Sequence, residues 1–281
     1  MLAACQAKAT PAATTGAPVI GAQPVPPQPS QTPTPLPVIT PESVTTQQIA
    51  QRLDPFGTPG CQLPCLNGLT PGNAGITDAL AFYARLGIGV SDFVPGDIQR
   101  AVSGNGNLRA NLMRATDITQ ALNAGYSPPE TNVFMKDGKV EYAYVRNEIY
   151  PASLDAAHVL STLGAPDQVG LSLIFTNDPN TPNNFVVQLT YAAKQAGFSY
   201  LGSTTGDAAA RQVCLNNTAV RETLIGVFAP GFVPFSDNPP TPRILPLYDS
   251  TGISPASFTN AIASSGCISI PSDQWLQWRP Q

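Results

Sequence analysis

Four cysteines stand in the body of the sequence, Cys61, Cys65, Cys214 and Cys267. Thiols of this number join as disulfides or hold a metal. Zinc takes four Cys or His ligands, usually from close-spaced pairs, and only Cys61 and Cys65 are close. Four cysteines admit three connectivities. In the turn-rich run G-C-Q-L-P-C-L-N-G, Cys61 and Cys65 can meet locally, which leaves Cys214 to pair with Cys267 across a long loop. Closing that loop restricts the unfolded chain by ~4 kcal/mol in the entropy model. The other reactive side chains are sparse. The single histidine, His158, excludes an H-E-x-x-H metal helix. A Ser-His-Asp triad would need it, yet the nearest strings to a nucleophile elbow, G-F-S-Y-L-G and G-S-T-T-G, have the wrong spacing. His158 reads as a boundary residue beside a buried stripe. G-N-G-N-L-R at 104–109 lacks the third glycine of a dinucleotide loop and reads as a turn. Asp178, Asn180, Asn183 and Asn184 offer oxygen ligands that calcium accepts, but with one carboxylate among them Asx turns explain the same residues. No cofactor is expected.

The surface around these residues is weakly charged. Of 281 residues, 11% are charged and 42% hydrophobic, with a net charge of -4; an ordinary domain has roughly 25% charged residues. Lys8, Lys136, Lys139 and Lys194 are all the lysines there are, so no basic field exists to attract nucleic acid. No apolar run approaches the ~20 residues of a membrane span.

At the start of the chain, Leu2-Ala3-Ala4-Cys5 resembles the lipobox of bacterial lipoproteins, a leucine and two small residues before a cysteine. The resemblance implies that Cys5 carries a diacylglycerol and becomes the mature N-terminus. The basic and apolar regions of the signal that precede such a motif are not in the sequence, so the native start is expected upstream of Met1 or the chain is trimmed. Residues 11–41 then hold ten prolines and no charge. Proline removes backbone donors and fixes φ, so residues 6–45 are expected to form no regular structure and to act as an extended stalk of ~3 Å per residue. Together these features predict an exported protein held to a membrane through lipidated Cys5.

From about residue 46 apolar periodicity begins. D-A-L-A-F-Y-A-R-L-G at 78–87 aligns with D-A-A-H-V-L-S-T-L-G at 155–164. Ala79, Phe82, Tyr83 and Leu86 match Ala156, Val159, Leu160 and Leu163, the i, i+3, i+4, i+7 stripe of a short helix closed by glycine. Thr77 and Ser153 are the expected N-caps. Leu108, Leu112, Ile118 and Leu122 predict a further helical stretch. Residues 132–145 read as a hairpin turning at Asp137-Gly138, and 169–175 with 185–191 as a second one. Strands are expected at Gln212–Leu215, Ala219–Phe228 and Cys267–Ile270. Trp275 and Trp278, three apart, are read as a tail that packs back over the core. Hairpins interspersed with short helices predict an α+β fold with antiparallel sheet. Residues 1–5 would be the anchor and 6–45 the stalk. Residues 46–205 would be a body of two related helix–sheet units, and 206–281 a disulfide-stapled segment packed on that body.

Gly68-Leu69-Thr70 and Leu163-Gly164-Ala165-Pro166, with a helix between such motifs and a following sheet, resemble the small envelope lipoproteins of the outer-membrane assembly factor (BamE-like) type. The resemblance covers about a third of the chain, and Gly87-Ile88-Gly89 departs from it. C-x-x-x-C-L-N-G-L-T-P-G with a later L-G-A-P-D is also similar to uncharacterised bacterial lipoproteins. What these resemblances imply is an antiparallel envelope domain with no stated activity. The expected role is binding or scaffolding at the envelope, with envelope-protein or polymer partners. An exported hydrolase using carboxylates and an adhesive polymer subunit are the alternatives.

Overall fold

The computed structural model describes residues 39–52, 54–56, 60–112, 130–147, 152–176, 180–216, 218–232 and 244–279. One side of its large sheet is built on the hairpin of β2 (Glu130–Lys136) and β3 (Lys139–Asn147). Asp137 and Gly138 both have positive φ, 49° and 76°, as a two-residue turn between twisted strands requires. Lys136 therefore faces Lys139, and alternation sends Val133, Ala143 and Val145 to one face and Asn132, Tyr142 and Tyr144 to the other. β1 (Gly106–Asn111) pairs with β2 at one edge. This is a correction to the expected helix: Leu108, Ala110 and Leu112 are all buried, a period of two. The rest of that stretch, with Ile118 and Leu122, lies outside the described residues.

On the other side β4 (Gln168–Ile174), β5 (Asn184–Tyr191) and β6 (Ala196–Ser203) form a meander. Between the two halves sits β9 (Val220–Phe228), antiparallel to both β3 and β6. With the two-residue β10 (Leu245–Pro246) beyond β4, the eight-stranded order is β1-β2-β3-β9-β6-β5-β4-β10. β7 (Thr205–Gly206), β8 (Ala210–Cys214) and β11 (Cys267–Pro271) make a separate three-stranded sheet. All pairings are antiparallel, so the fold is α+β. Residues 206–281 supply the central strand β9, and they share one compact unit with residues 46–205.

Helices cover one face of the large sheet. α1 (Thr46–Arg52) starts with a capping box, Thr45 N–H donating to Gln48 Oε1 (2.8 Å) and Gln48 N–H to Thr45 Oγ1 (3.2 Å). α2 (Ile76–Arg85) buries Ala79, Leu80, Phe82 and Tyr83, and the Tyr83 hydroxyl donates to the Leu108 carbonyl on β1. α3 (Pro95–Val102) begins on proline and buries Ile98 and Ala101. α4 (Ala156–Leu163) buries Ala156, Val159 and Leu160 and ends at Gly164, φ 81°. Leu154, two residues before it, and Gly164, the residue after it, meet the second meander: the Tyr200 hydroxyl donates to the Leu154 carbonyl (3.1 Å) and Tyr191 to the Gly164 carbonyl (3.0 Å). α5 (Leu247–Thr251) and α6 (Pro255–Ser265, capped by Ser254) precede β11.

The caps of the paired helices differ from expectation. Gly75, not Thr77, is the α2 N-cap, because the Asp78 carboxylate reaches back to the Gly75 N–H (2.8 Å). Asp155, not Ser153, caps α4, accepting from Ala157 N–H (3.0 Å), while the Ser153 hydroxyl is buried without a partner. Each helix is followed by a three-stranded meander. However, β3 and β6 run the same way while the meanders approach β9 from opposite sides, with the helices on one common face. No rotation superposes the two halves. They have opposite hand.

At the N-terminal side, residues 39–45 carry no regular structure but are docked as a strap. The Glu42 N–H donates to the Ala84 carbonyl (2.9 Å) at the end of α2. Arg52 of α1 then ties three pieces together, donating to Glu42 Oε2 (2.7 Å) and to the Arg85 carbonyl. Arg85 in turn donates through Nε (3.0 Å) and Nη2 (2.5 Å) to the Asn67 carbonyl, in the turn after Cys65. Residues 39–45, the end of the expected stalk, are thus without regular structure and docked on α2. Cys5 and residues 6–38 lie outside the described residues.

Candidate functional site

The face of the large sheet opposite the helices carries a cluster of rings beside a group of charges. The register puts Arg109 of β1, Glu130, Asn132 and Phe134 of β2, Tyr142, Tyr144 and Arg146 of β3, and Glu222 and Phe228 of β9 on this side. Phe232, just beyond β9, stacks on Tyr142 with centroids 5.3 Å apart, and Phe134 stacks on Tyr142 from the other side at 5.7 Å. Tyr144 lies 5.7 Å from Tyr142 and 6.4 Å from Phe134, and Phe228 6.3 Å from Phe232. Such offset and tilted ring pairs add about 0.5–1.5 kcal/mol each beyond their buried area. Gly226 is required beneath them: a Cβ there would sit 2.7 Å from the Tyr142 ring.

Beside the rings runs an ionic chain. Glu130, its side chain only 7% exposed, accepts from Arg109 Nε (3.0 Å) and Nη2 through Oε2, and from the Tyr144 hydroxyl (3.1 Å) through Oε1. Arg146 lies 3.9 Å from Glu130 Oε1 and pairs with Glu222 through Nε at 3.1 Å. The carboxylates sit inward and the guanidiniums outward, Arg109 at 60% and Arg146 at 38% side-chain exposure. The hydrogen bond to Glu130 raises the Arg109 pKa, and burial raises those of Tyr142 and Tyr144. Asn132 Nδ2 donates to the Tyr144 hydroxyl (3.3 Å), while Asn132 Oδ1 and Asn107 Oδ1 are buried without a hydrogen-bond partner.

A carboxylate held by this many donors is an acceptor in a framework, not a free base. What the face offers a ligand is the half-buried rings of Phe134, Tyr144 and Phe232, over buried Tyr142 and Phe228, and outward guanidinium N–H groups. Stacking and hydrogen bonding are the chemistry these groups support.

The residues singled out in the sequence fall elsewhere. Cys61–Cys65 and Cys214–Cys267 are disulfides, the second joining register partners on β8 and β11. His158 is exposed on α4, its ring 5.7 Å from Phe56 on the helix-covered side. Of the calcium candidates, Asp178 lies outside the described residues. Asn183 Oδ1 accepts from Thr176 N–H (3.2 Å) and Asn184 Oδ1 from Arg221 Nη2 (2.5 Å), so these amides close the loop. Trp275 and Trp278 do pack back, 2% and 5% exposed, with Nε1 donating to the Ile270 and Leu171 carbonyls (2.9 Å each). The ring and ion cluster was not visible as a motif, because it draws on four strands spread from residue 109 to residue 228. Its one local signal was Val140, Tyr142 and Tyr144 within the hairpin.

Comparison with protein-family models, curated proteins and solved structures finds no match.

Proposed function

We propose that this protein is a lipid-anchored protein of the cell envelope or cell surface with a non-catalytic binding or scaffolding role. The observation that carries the binding role is the five-ring cluster bordered by outward-facing Arg109 and Arg146. Partner surfaces favour aromatic and arginine side chains in this way. The address rests on the lipobox-like Leu2-Ala3-Ala4-Cys5 and the uncharged proline tract. The two disulfides support it, since such bonds persist in oxidising compartments. Among the described residues no helix is long and apolar enough to cross a membrane, so attachment in this reading is through the lipid on Cys5.

The test is fractionation of the full-length native protein beside its Cys5→Ser variant. The native chain is expected in the membrane fraction with a diacylglyceryl mass increment on Cys5. The variant is expected in the soluble fraction with the same circular dichroism. An unmodified Met1 on the mature membrane-bound chain would sink the anchor.

A further inference from the structure

The outer-face cluster is complementary to its own reverse. Its ionic chain alternates in sign, Arg109, Glu130, Arg146 and Glu222, across the four neighbouring strands β1, β2, β3 and β9. Its rings stack in a row of three, with Phe134 on one side of Tyr142 and Phe232 on the other. Turned end for end, plus-minus-plus-minus becomes minus-plus-minus-plus, while Phe-Tyr-Phe is unchanged. A two-fold axis lying in the face and running along β3 performs that reversal, since β3 carries the central ring, Tyr142, and the middle of the ionic chain falls between Glu130 and its register partner Arg146. Across such an axis Arg109 meets Glu222 of the second copy, Arg146 meets Glu130, and Phe134 meets Phe232. An axis lying across the strands would instead set each charge on its like, which costs free energy and excludes that pairing.

The two signs are also set at different depths. Arg109 and Arg146 stand outward at 60% and 38% side-chain exposure, and Glu130 and Glu222 are recessed at 7% and 17%. A guanidinium has five N–H donors, so an outward arginine can keep its own carboxylate and reach a recessed one opposite. The four charges cancel, which gives a strongly charged ligand nothing to gain and lets two such faces approach without net repulsion. Four strands span ~19 Å and the seven residues from Glu222 to Phe228 ~23 Å. Two such faces in contact remove on the order of 1,000 Å² from water, the low end for a specific pair. Contact of that size is reversible, and anchoring both copies in one membrane would favour it by raising their effective concentration.

We infer that the partner of the outer face is a second copy of this chain, joined through a two-fold axis along β3 into a reversible dimer. The inference rests on the binding role proposed above and names its partner. A patch that pairs with itself is used up in the pair, so the product is a closed dimer and not a polymer. The helix-covered side of each copy, with the strap docked on α2, stays on the outside.

The experiment uses the full-length Cys5→Ser chain, which has no cysteine outside its two disulfides. Sedimentation equilibrium over a range of concentrations is expected to show the mass rising from one chain toward two and no further. Phe232→Asp, on the segment beyond β9, is expected to raise the dissociation constant at least ~10-fold with unchanged circular dichroism. Phe134→Cys and Phe232→Cys chains, mixed and oxidised, are expected to give a cross-linked pair, and neither alone to link to itself. His158→Cys, exposed on α4 on the opposite side, is the control and should not link. The inference is overturned if the chain is monomeric at every concentration, if the mass passes two chains, or if Phe232→Asp dimerises as its parent does. It is equally overturned if the two ring variants link to themselves instead of to each other, or if His158→Cys links as well as the mixture. Should Phe232→Asp not fold, the cross-linking mixture decides alone. Co-sedimentation with isolated cell envelopes separates this failure from failure of the binding role. A monomer that binds envelopes and loses them on Phe232→Asp keeps the role and gives the face to another partner; a monomer that binds nothing loses both.

Discussion

Glu130 is the residue on which the outer face depends, because it accepts from Arg109 and Tyr144 and faces Arg146 while nearly excluded from water. The two ways of breaking this arrangement are unequal. Glu130→Gln leaves Arg109 and Arg146, both partly exposed, free to rehydrate, and is expected to cost about 1–3 kcal/mol. An Arg109→Met, Arg146→Met double variant strands a 7%-exposed carboxylate with only a tyrosine donor, and is expected to cost more, about 3–5 kcal/mol. Urea midpoints measured at pH 7 with unchanged slopes would order the two. A smaller loss in the double variant would show that Glu130 is reached by water when the arginines go. The cysteines were legible at this scale because proximity of Cys61 and Cys65 decides both pairs. The caps were not: Thr77 and Ser153 lost to Gly75 and Asp155, since a nearby carboxylate, Asp78 or Asp155 itself, is a stronger acceptor for a helix N-terminus than a hydroxyl.

Among the elements, those with local turn chemistry were read correctly. The β2–β3 hairpin follows from Asp137-Gly138, and strands were expected where β8, β9 and β11 lie. β1 was misread because Leu108 and Leu112 fit a helical spacing as well as an alternation through Ala110. β6 escaped notice because glycines occupy two of its eight positions, A-G-F-S-Y-L-G-S. One of them is a packing device. At Gly202 a Cβ would meet the Ala219 carbonyl and the Phe185 ring, each at 2.5 Å, and Phe185 is fully buried. Backbone and a locked ring cannot both move aside, so Gly202→Ala is expected to destabilise by about 1–3 kcal/mol. Chemical denaturation would measure this, and an unchanged midpoint would mean that β6 shifts against β9 at little cost.

For the molecule as a whole, alkaline pH is the condition that should undo it. Tyr83, Tyr142, Tyr144 and Tyr191 are each held above their ordinary value, chiefly by burial. The unfolded chain releases these protons near pH 10. Stability is therefore full below about pH 10 and falls as pH rises from there toward the folded values, because only the unfolded chain ionises in that window. Tyrosinate absorbance followed through a pH titration should show Tyr83, Tyr142, Tyr144 and Tyr191 ionising together with loss of secondary structure. A single smooth rise with the fold intact would show these phenols to be reachable by water. The α+β class was legible from alternating hairpins and short helices. The opposite hand of the two halves was not, because a sequence repeat in two helices carries no record of strand direction. Nor did a linear reading show where β9 goes, and its place governs how the chain is made. A chain leaving a ribosome or an export pore N-terminus first completes β3 at Asn147, and then β6 at Ser203, before Val220–Phe228 appears. During that interval the strands of the two half-sheets that will flank the seam, β3 and β6, each lack their common neighbour. Bare strand edges of this kind recruit other chains. The newborn protein must therefore be shielded, or finished quickly, until β9 arrives to close the middle.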